Sequence, residues 1–217
     1  MGFQLDPSIA PGQSEYTNRS TLTASYGELM SSKRQDLIDT GERLFHEEGF
    51  FATGVDRIVR QAGTTRRTFY QNFTSKESLV EAVLRQRDRS YFDAIDRSRP
   101  APEAGALALA LHVAETHLQF LFHGAVHGCL FIKALGEYEA HSTTISALAT
   151  EHKRSLHRYL TRLLADAGAT QPEALALDLA TALEGATQYA QLMPPEVIGE
   201  SLRRQIHRCF TDKEVVS

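Results

Sequence analysis

The residues of this chain with the most recognisable chemistry are Arg66, Arg67, Tyr70 and Gln71, which lie within one short polar segment. An arginine can fork onto O6 and N7 of guanine, a glutamine can pair with adenine, and a tyrosine hydroxyl can bond a phosphate. The same side chains also occur on ordinary solvated helix faces. Their meaning therefore depends on the elements that hold them.

Two short helical patterns separated by one turn carry this segment. The first begins near Thr53, whose hydroxyl we expect to cap the helix, with Asp56 in the first turn. Its apolar residues recur at helical spacing: Val55, Ile58, Val59 and Ala62. Gly63 is expected to end it in a left-handed conformation, and Thr65 to cap a second helix that runs to about Asn72. This layout is typical of a helix-turn-helix DNA reader.

The second helix has an inner and an outer face. Phe69 and Phe73 lie one turn apart and are predicted to pack on the first helix. The polar side chains then point elsewhere, where the first turns of a short helix can enter the major groove.

The run from Lys33 to about Arg89 resembles the N-terminal domain of the TetR family of bacterial transcriptional regulators. The first helix corresponds to RQDLIDTGERLFHEEGF, the second to TGVDRIVRQAG, the recognition helix to TTRRTFYQNF, and the start of the fourth to SKESLVEAVL. The family often has Gly where Arg67 stands and His at Gln71 or Asn72. Base preference therefore does not transfer from the family.

By position, the resemblance implies a set of residues that contact operator DNA at the groove or at phosphates. These residues are Thr53, Thr64, Thr65, Arg66, Arg67, Thr68, Tyr70, Gln71 and Lys76. Within the set, Thr53 and Lys76 are the expected phosphate contacts. A small core is expected from Leu37, Ile38, Gly41, Leu44, Phe45, Phe50 and Val55.

Charge is compatible with reading one DNA site. The 217-residue chain has a formal net charge of -4, which argues against coating DNA nonspecifically. Between Val55 and Phe73, however, four arginines face a single aspartate, a local balance of +3.

Other classes of protein find less support in the sequence. There is no apolar run of the roughly 18 residues that a membrane span needs, and no signal peptide, so we expect a cytoplasmic protein without a membrane partner. Cys129 and Cys209 have no C-x-x-C spacing, so no disulfide framework is expected. Hydrolase, metalloprotease, P-loop and di-iron signatures are missing. We therefore predict neither an enzyme nor a bound cofactor or metal.

The whole chain is predicted to be all-α, because no alternating run is long enough for a sheet. Residues 1–30 are expected to form a flexible arm, 31–78 a three-helix DNA-binding domain, and 79–217 a helical effector-binding and dimerisation domain. The predicted later helices are Ser75–Arg97, Glu103–Phe122, Cys129–Tyr138, Thr143–Ala167, Pro172–Met193 and Glu196–Phe210.

The last two predicted helices are candidates for a homodimer interface. The helix from Pro172 is apolar on most sides, and small residues would allow a second helix to approach closely. The family resemblance implies a dimer of this kind, whereas burial inside one subunit is the alternative. The interface residues predicted are Leu179, Ala182, Leu183, Gly185, Ala186, Ala190, Leu202 and Ile206.

A small-molecule effector, of unknown identity, is a further partner that the resemblance implies. Apolar residues with a few polar groups can line a cavity, and the same residues can equally be plain core. The predicted lining is Leu111, His117, Leu118, Leu121, Cys129, His152 and Leu156. The leading function is thus a repressor that leaves a palindromic operator when its effector binds.

Two features keep another function open. His123 and His127 have the i, i+4 spacing of a zinc pair, although Gly124 and Gly128 interrupt the helix that would align them. Cys129 is predicted at a helix start with Lys133 one turn later, where a thiol can become reactive. A helical-bundle enzyme or a metal- or redox-sensing protein is therefore the alternative.

Overall fold

The computed structural model describes the backbone of residues 19–123 and 127–211, and the side chains of residues 32–122 and 127–211. These ranges contain α-helices and no strand, so the all-α prediction is confirmed for them. The helices are α1 (Arg19–Glu48), α2 (Val55–Gln61), α3 (Arg66–Asn72), α4 (Lys76–Asp96), α5 (Ala106–His123), α6 (Leu130–Tyr138), α7 (Thr143–Asp166), α8 (Pro172–Tyr189) and α9 (Pro195–Thr211), with a 3-10 turn at Pro102–Ala104. In that part of the chain no helix is long and apolar enough to cross a bilayer.

The head comprises the second half of α1, α2, α3 and the first turns of α4. Its centre is aromatic, since the rings of Phe45 and Phe50 stack at 4.9 Å and Phe69 lies 5.8 Å from Phe73. The predicted inner residues of α1 are buried, which confirms that face of the helix. Side chains without any exposure in this core include Leu37, Leu44, Phe45, Phe50, Ile58 and Phe69.

Helix α1 begins earlier than predicted. Residues 19–30 were expected to form an irregular arm, but their backbone is helical, whereas residues 1–18 lie outside the described ranges. Ser and Thr are weaker helix formers than Ala, yet no proline interrupts this stretch. Extending an existing helix needs no new nucleus, so a stable C-terminal half can carry such a segment.

The body consists of the rest of α4 and helices α5–α9. Its core joins the inner faces of α5, α7, α8 and α9, with Leu109, Val113, Leu160 and Leu183 fully buried. The head's core extends into the body, because Leu130, Phe131 and Ala134 of α6 and Ile145 and Ala149 of α7 belong to the same apolar cluster as Phe69.

Polar contacts reinforce the junction between head and body. Both carboxylate oxygens of Glu137 on α6 accept backbone N–H groups of the α1–α2 loop, from Phe50 at 3.1 Å and Phe51 at 2.7 Å. Lys133 donates to the carbonyl of His46 at 2.6 Å, and the His46 ring donates to the carbonyl of Gly128 at 2.7 Å. Helix α6 and the residues before it therefore hold the C-terminal end of α1 and the loop that follows it.

The structure corrects most of the predicted dimer interface. Leu179, Leu183, Ala186, Ala190, Leu202 and Ile206 are buried within the single chain. Helices α8 and α9 turn these residues toward α5 and each other, because an apolar stripe is buried first against the subunit's own core. Of the predicted set, only Gly185 is exposed, while Ala182 is half-buried and packs against that core.

Candidate nucleic-acid interface and ligand cavity

Helix α3 is built as the sequence predicts. Gly63 has φ 59°, a left-handed conformation that ends the preceding turn. The hydroxyl of Thr65 accepts the backbone N–H of Thr68 at 3.2 Å, which caps α3. With Phe69 fully buried beneath, the rotation of α3 about its axis is fixed.

That rotation decides which predicted DNA contacts reach the surface. Thr65, Arg66, Arg67, Tyr70 and Gln71 are exposed, and the Tyr70 side chain points outward with 56% of its area accessible. Thr64 and Thr68 are half-buried, and the Thr68 hydroxyl shares a hydrogen bond with the capping hydroxyl of Thr65 at 3.1 Å. Five of the nine predicted residues thus form one continuous exposed surface on α3, which we call the α3 surface.

Thr53 does not have its predicted role. The N-cap of α2 is Gly54, and no side chain bonds there. The Thr53 side chain is fully buried, and its hydroxyl donates instead to the carbonyl of Gly49 at 2.7 Å. The hydroxyl closes the α1–α2 loop from inside, so it cannot reach a phosphate without unfolding that loop.

Lys76 also has a role within the head. Its ammonium donates to the carbonyl of Phe50 at 3.0 Å and lies 5.5 Å from the centre of the Phe51 ring. The side chain remains half-buried at the start of α4, next to the Ser75 cap. A phosphate contact would have to share the ammonium with these two partners.

Ion pairs divide the head's arginines into two groups. Arg66 forks onto the carboxylate of Asp56 across α2 and α3, and Arg57 donates to Glu48 at 2.7 Å. The Arg66 hydrogen bond holds the pKa of Asp56 below its ordinary value. Arg67, by contrast, has no partner among the described residues. The local positive charge of the α3 surface is therefore carried by Arg67 more than by Arg66.

A small cavity lies in the body between α4, α5, α6, α7 and α8. Five of the seven predicted effector residues line it: His117, Leu121, Cys129, His152 and Leu156. Leu118 and Leu111 do not, because Leu118 is buried toward α9 and Leu111 packs in the core. The cavity volume is about 50 Å³, well below the roughly 300–1,000 Å³ of drug-sized sites.

The polar groups on one side of the cavity bond one another. Thr187 donates to the carbonyl of Leu183 at 2.9 Å, so its oxygen accepts Nε2–H of His117 at 2.8 Å. Nδ1 of His117 is then the acceptor for the Tyr91 hydroxyl at 2.9 Å. Burial lowers the pKa of His117 to about 4, which keeps the ring neutral near pH 7.

An ion pair occupies the other side. Lys153 of α7 donates to the carboxylate of Glu184 on α8, and its ammonium also contacts the Cys129 side chain. Although burial acts to lower it, the pKa of Lys153 lies above its ordinary value because Cys129 and Glu184 favour the charged form. The cation beside Cys129 is therefore Lys153, not the predicted Lys133, which bonds to the carbonyl of His46.

His152 forms a third part of the lining. Its ring stacks on Phe131 with centroids 3.6 Å apart, and Nδ1 lies 2.7 Å from a carboxylate oxygen of Asp88. Burial lowers the pKa of His152, while the Asp88 hydrogen bond opposes that change. Among the described side chains no group of three His, Cys, Asp or Glu residues could hold a metal ion, and the side chain of His123 lies outside them.

Nine of the fourteen residues that line the cavity lie outside the predicted set. These residues are Arg87, Tyr91, Phe120, Gly128, Leu130, Phe131, Lys153, Glu184 and Thr187. A signal was present for two of them, since Glu184 and Thr187 are polar residues within a helix that is apolar on most sides. A polar group in such a helix needs a partner, which points to an internal site.

Comparisons with known proteins agree with this architecture. Residues 37–83 match the family model of bacterial regulatory proteins of the tetR family. A TetR-family transcriptional regulator from Streptomyces coelicolor superposes with a TM-score of 0.77 at 28% identity, covering 84% of this chain and 96% of that one. The reduced form of NemR from Escherichia coli superposes with a TM-score of 0.68 at 23% identity, covering 82% of this chain and 95% of that one.

Sequence similarity alone is more local. The chain is 30% identical over 105 residues to the HTH-type transcriptional repressor NemR of Escherichia coli strain K12, covering 48% of this chain and 53% of that protein. The match thus spans about half the length of this curated relative. The family-model match falls in the head, which contains α2 and α3, and α3 carries the exposed polar surface. The head of this chain, residues 37–83, belongs to the tetR family of bacterial regulatory proteins.

Proposed function

We propose that this protein is a ligand-responsive transcriptional regulator that acts as a repressor, binding a palindromic operator as a homodimer. The observation that carries the proposal is the α3 surface. A capped helix with a buried aromatic face presents Arg67, Tyr70 and Gln71 together, and these side chains can read base edges and bond phosphates. A regulator of this kind works where the DNA is, which in a bacterium is the cytoplasm.

The test is selection of bound DNA from a random pool by the purified protein. A dimer with two identical heads should enrich a sequence with two inverted half-sites. If no DNA sequence is enriched above background, the proposed function is wrong. The comparisons give no support to the alternative of a helical-bundle enzyme, because the relatives named above are transcriptional regulators.

The unpaired cation of the α3 surface gives the first prediction. Arg67→Ala should weaken operator binding by about 1–3 kcal/mol if the guanidinium meets a base, with the thermal midpoint of unfolding nearly unchanged. Binding is measured by fluorescence anisotropy with the selected DNA. Arg204→Ala removes an exposed arginine of α9, far along the chain from α3; it is the matched control and should bind DNA as the wild type does. Equal affinities of the two variants would remove Arg67 from the contact surface.

For the dimer we propose the outer face of α8 and the start of α9. Five large apolar side chains are exposed there: Leu177, Tyr189, Leu192, Met193 and Val197. Clustered exposure of this kind marks interaction surfaces. Thr181 and Gly185 lie between them on the same helix face, and a side chain added at Gly185 would meet no atom of its own chain within 4 Å. Space is therefore left for a second helix.

Gly185→Arg gives the second prediction. The variant should sediment as a monomer and lose binding to a two-half-site operator, because a large charged side chain would occupy the space left for the partner helix. The chain itself should not unfold, since replacing a mid-helix glycine favours the helix by up to about 1 kcal/mol. Ala140→Arg, at an exposed position after α6, is the control and should remain dimeric. If the Gly185→Arg variant remains dimeric, this face is not the dimer interface.

A further inference from the structure

The Lys153–Glu184 pair lies at the boundary between two spaces. Lys153, Leu156 and Glu184 line the inner cavity of about 50 Å³ and also an outer groove of about 560 Å³ between α7 and α8. The two side chains of the pair keep 26% and 33% of their accessible area, so they face both sides. Parting them would join the spaces into a site within the size range of small-molecule ligands.

The other polar groups around the inner cavity are engaged elsewhere. Tyr91, His117 and Thr187 use their donors on one another and on a backbone carbonyl, as described above. Arg87 donates to Glu42 of α1 at 2.6 Å and lies over the Phe120 ring at 4.7 Å. Apolar side chains fill the space between these groups, so the inner wall suits an apolar body.

The pair itself can exchange partners. Glu184 can turn toward the outer groove, which also contains Leu177 and Thr181 of the proposed dimer face and where part of the Glu184 side chain is accessible in the single chain. Lys153 lines the inner cavity beside Cys129 as well as the outer groove, so its ammonium can stay at the inner cavity when Glu184 turns outward. An ammonium left without its carboxylate in a partly buried site is destabilising, so whatever displaces Glu184 must supply a negative charge.

We propose that the effector is an apolar organic anion, such as a carboxylate, whose charged group replaces Glu184 on Lys153 while its apolar body fills the cavity between Phe120, Leu121 and Leu156. The proposal rests on the effector site of the proposed function and names the chemical class of its ligand.

The experiment uses two pairs of probes that differ in charge and share an apolar body. Octanoate is compared with 1-octanol, and 2-naphthoate with 2-naphthylmethanol, by isothermal titration calorimetry on the full chain. We expect the wild type to bind at least one carboxylate ten-fold or more tightly than its alcohol. Equal affinities within both pairs, or no binding of either carboxylate at millimolar concentration, overturns the proposal.

Variants locate the charge that is responsible. Lys153→Met should abolish the preference for the carboxylate, while Lys153→Arg should keep it and so control for folding. Glu184→Gln should tighten carboxylate binding without changing alcohol binding, because the competing anion is gone. Cys129→Ser should keep the preference. A preference that survives in Lys153→Met, or that is lost in Cys129→Ser, would assign the anion to another group and overturn the proposal.

The two proposals can fail separately. Ligand titration needs no DNA, and DNA selection needs no ligand. If a palindrome is selected but no carboxylate is preferred, the proposed regulator function stands and the proposed class of effector is wrong. If a carboxylate is preferred but no DNA is selected, the proposed ligand site stands and the proposed regulator function is wrong.

Discussion

Phe69→Ala should unfold the head, with a loss of about 3–5 kcal/mol in the free energy of unfolding. The Phe69 ring is fully buried under α3 and packs at 5.8 Å from the ring of Phe73. Removing it leaves a cavity where α3 meets α1. Urea denaturation followed by circular dichroism measures the change.

The neighbouring aromatic residue is the matched control for that variant. Tyr70 lies on the same helix but exposes 56% of its side chain. Tyr70→Ala should leave the free energy of unfolding nearly unchanged and weaken DNA binding, because its hydroxyl belongs to the α3 surface. Similar stability losses in both variants would contradict the rotation of α3 described above.

Mild acid should destabilise the protein through two buried histidines. Burial lowers the pKa of His46 and of His117 to about 4, from an ordinary value near 6.5. Below pH 6.5 the unfolded chain binds protons that the folded chain does not, so the stabilisation is complete above pH 6.5 and falls toward pH 4. The difference corresponds to about 3 kcal/mol for each histidine.

The pH window separates these histidines from the carboxylates. Ion-paired carboxylates such as Glu115 and Asp56 have lowered pKa values, so their contribution is lost only as the pH falls below the ordinary carboxylate range. Urea unfolding at pH 7, 6, 5 and 4 should therefore show a steep loss that is reduced in His117→Gln. Exposed His207→Gln is the control and should follow the wild type. A pH profile unchanged in His117→Gln would refute the assignment.

Local signals in the sequence predicted the helices well. The predicted left-handed turn at Gly63 and the predicted cap at Thr65 are confirmed, because both features depend only on neighbouring backbone groups. The predicted cap at Thr53 is wrong for a related reason. Its hydroxyl could bond either the next helix or the previous turn, and burial against the aromatic core directs it to the carbonyl of Gly49. The early start of α1 was missed because polar composition was taken as irregular structure.

The faces of α8 and α9 were not predictable from their own residues. Apolar periodicity shows that a helix is buried, but it does not say whether its own chain or a partner buries it. Leu183 lies in the subunit core, whereas Leu177, which is not among the predicted interface residues, is exposed. Which face of each helix is buried within the chain depends on how α5 packs against α8 and α9, and this packing is seen only in the tertiary structure.

The lining of the cavity was only partly predictable for a similar reason. A few polar groups among apolar residues pointed to His117 and His152, but the pairing of Lys153 with Glu184 joins two different helices, α7 and α8. Lys133 looked suitable beside Cys129 because it follows one turn later. The helix instead turns Lys133 toward the carbonyl of His46.

The apolar cluster shared by head and body has a consequence for protein engineering. A chimera that joins residues 31–78 of this chain to another protein's sensing domain would leave behind Leu130, Phe131 and Ala134, which bury the inner side of the head. It would also lose Glu137, the acceptor for two loop N–H groups. A transplantable unit should therefore carry α6 and the first half of α4 with the DNA reader, or graft only the exposed residues of α3.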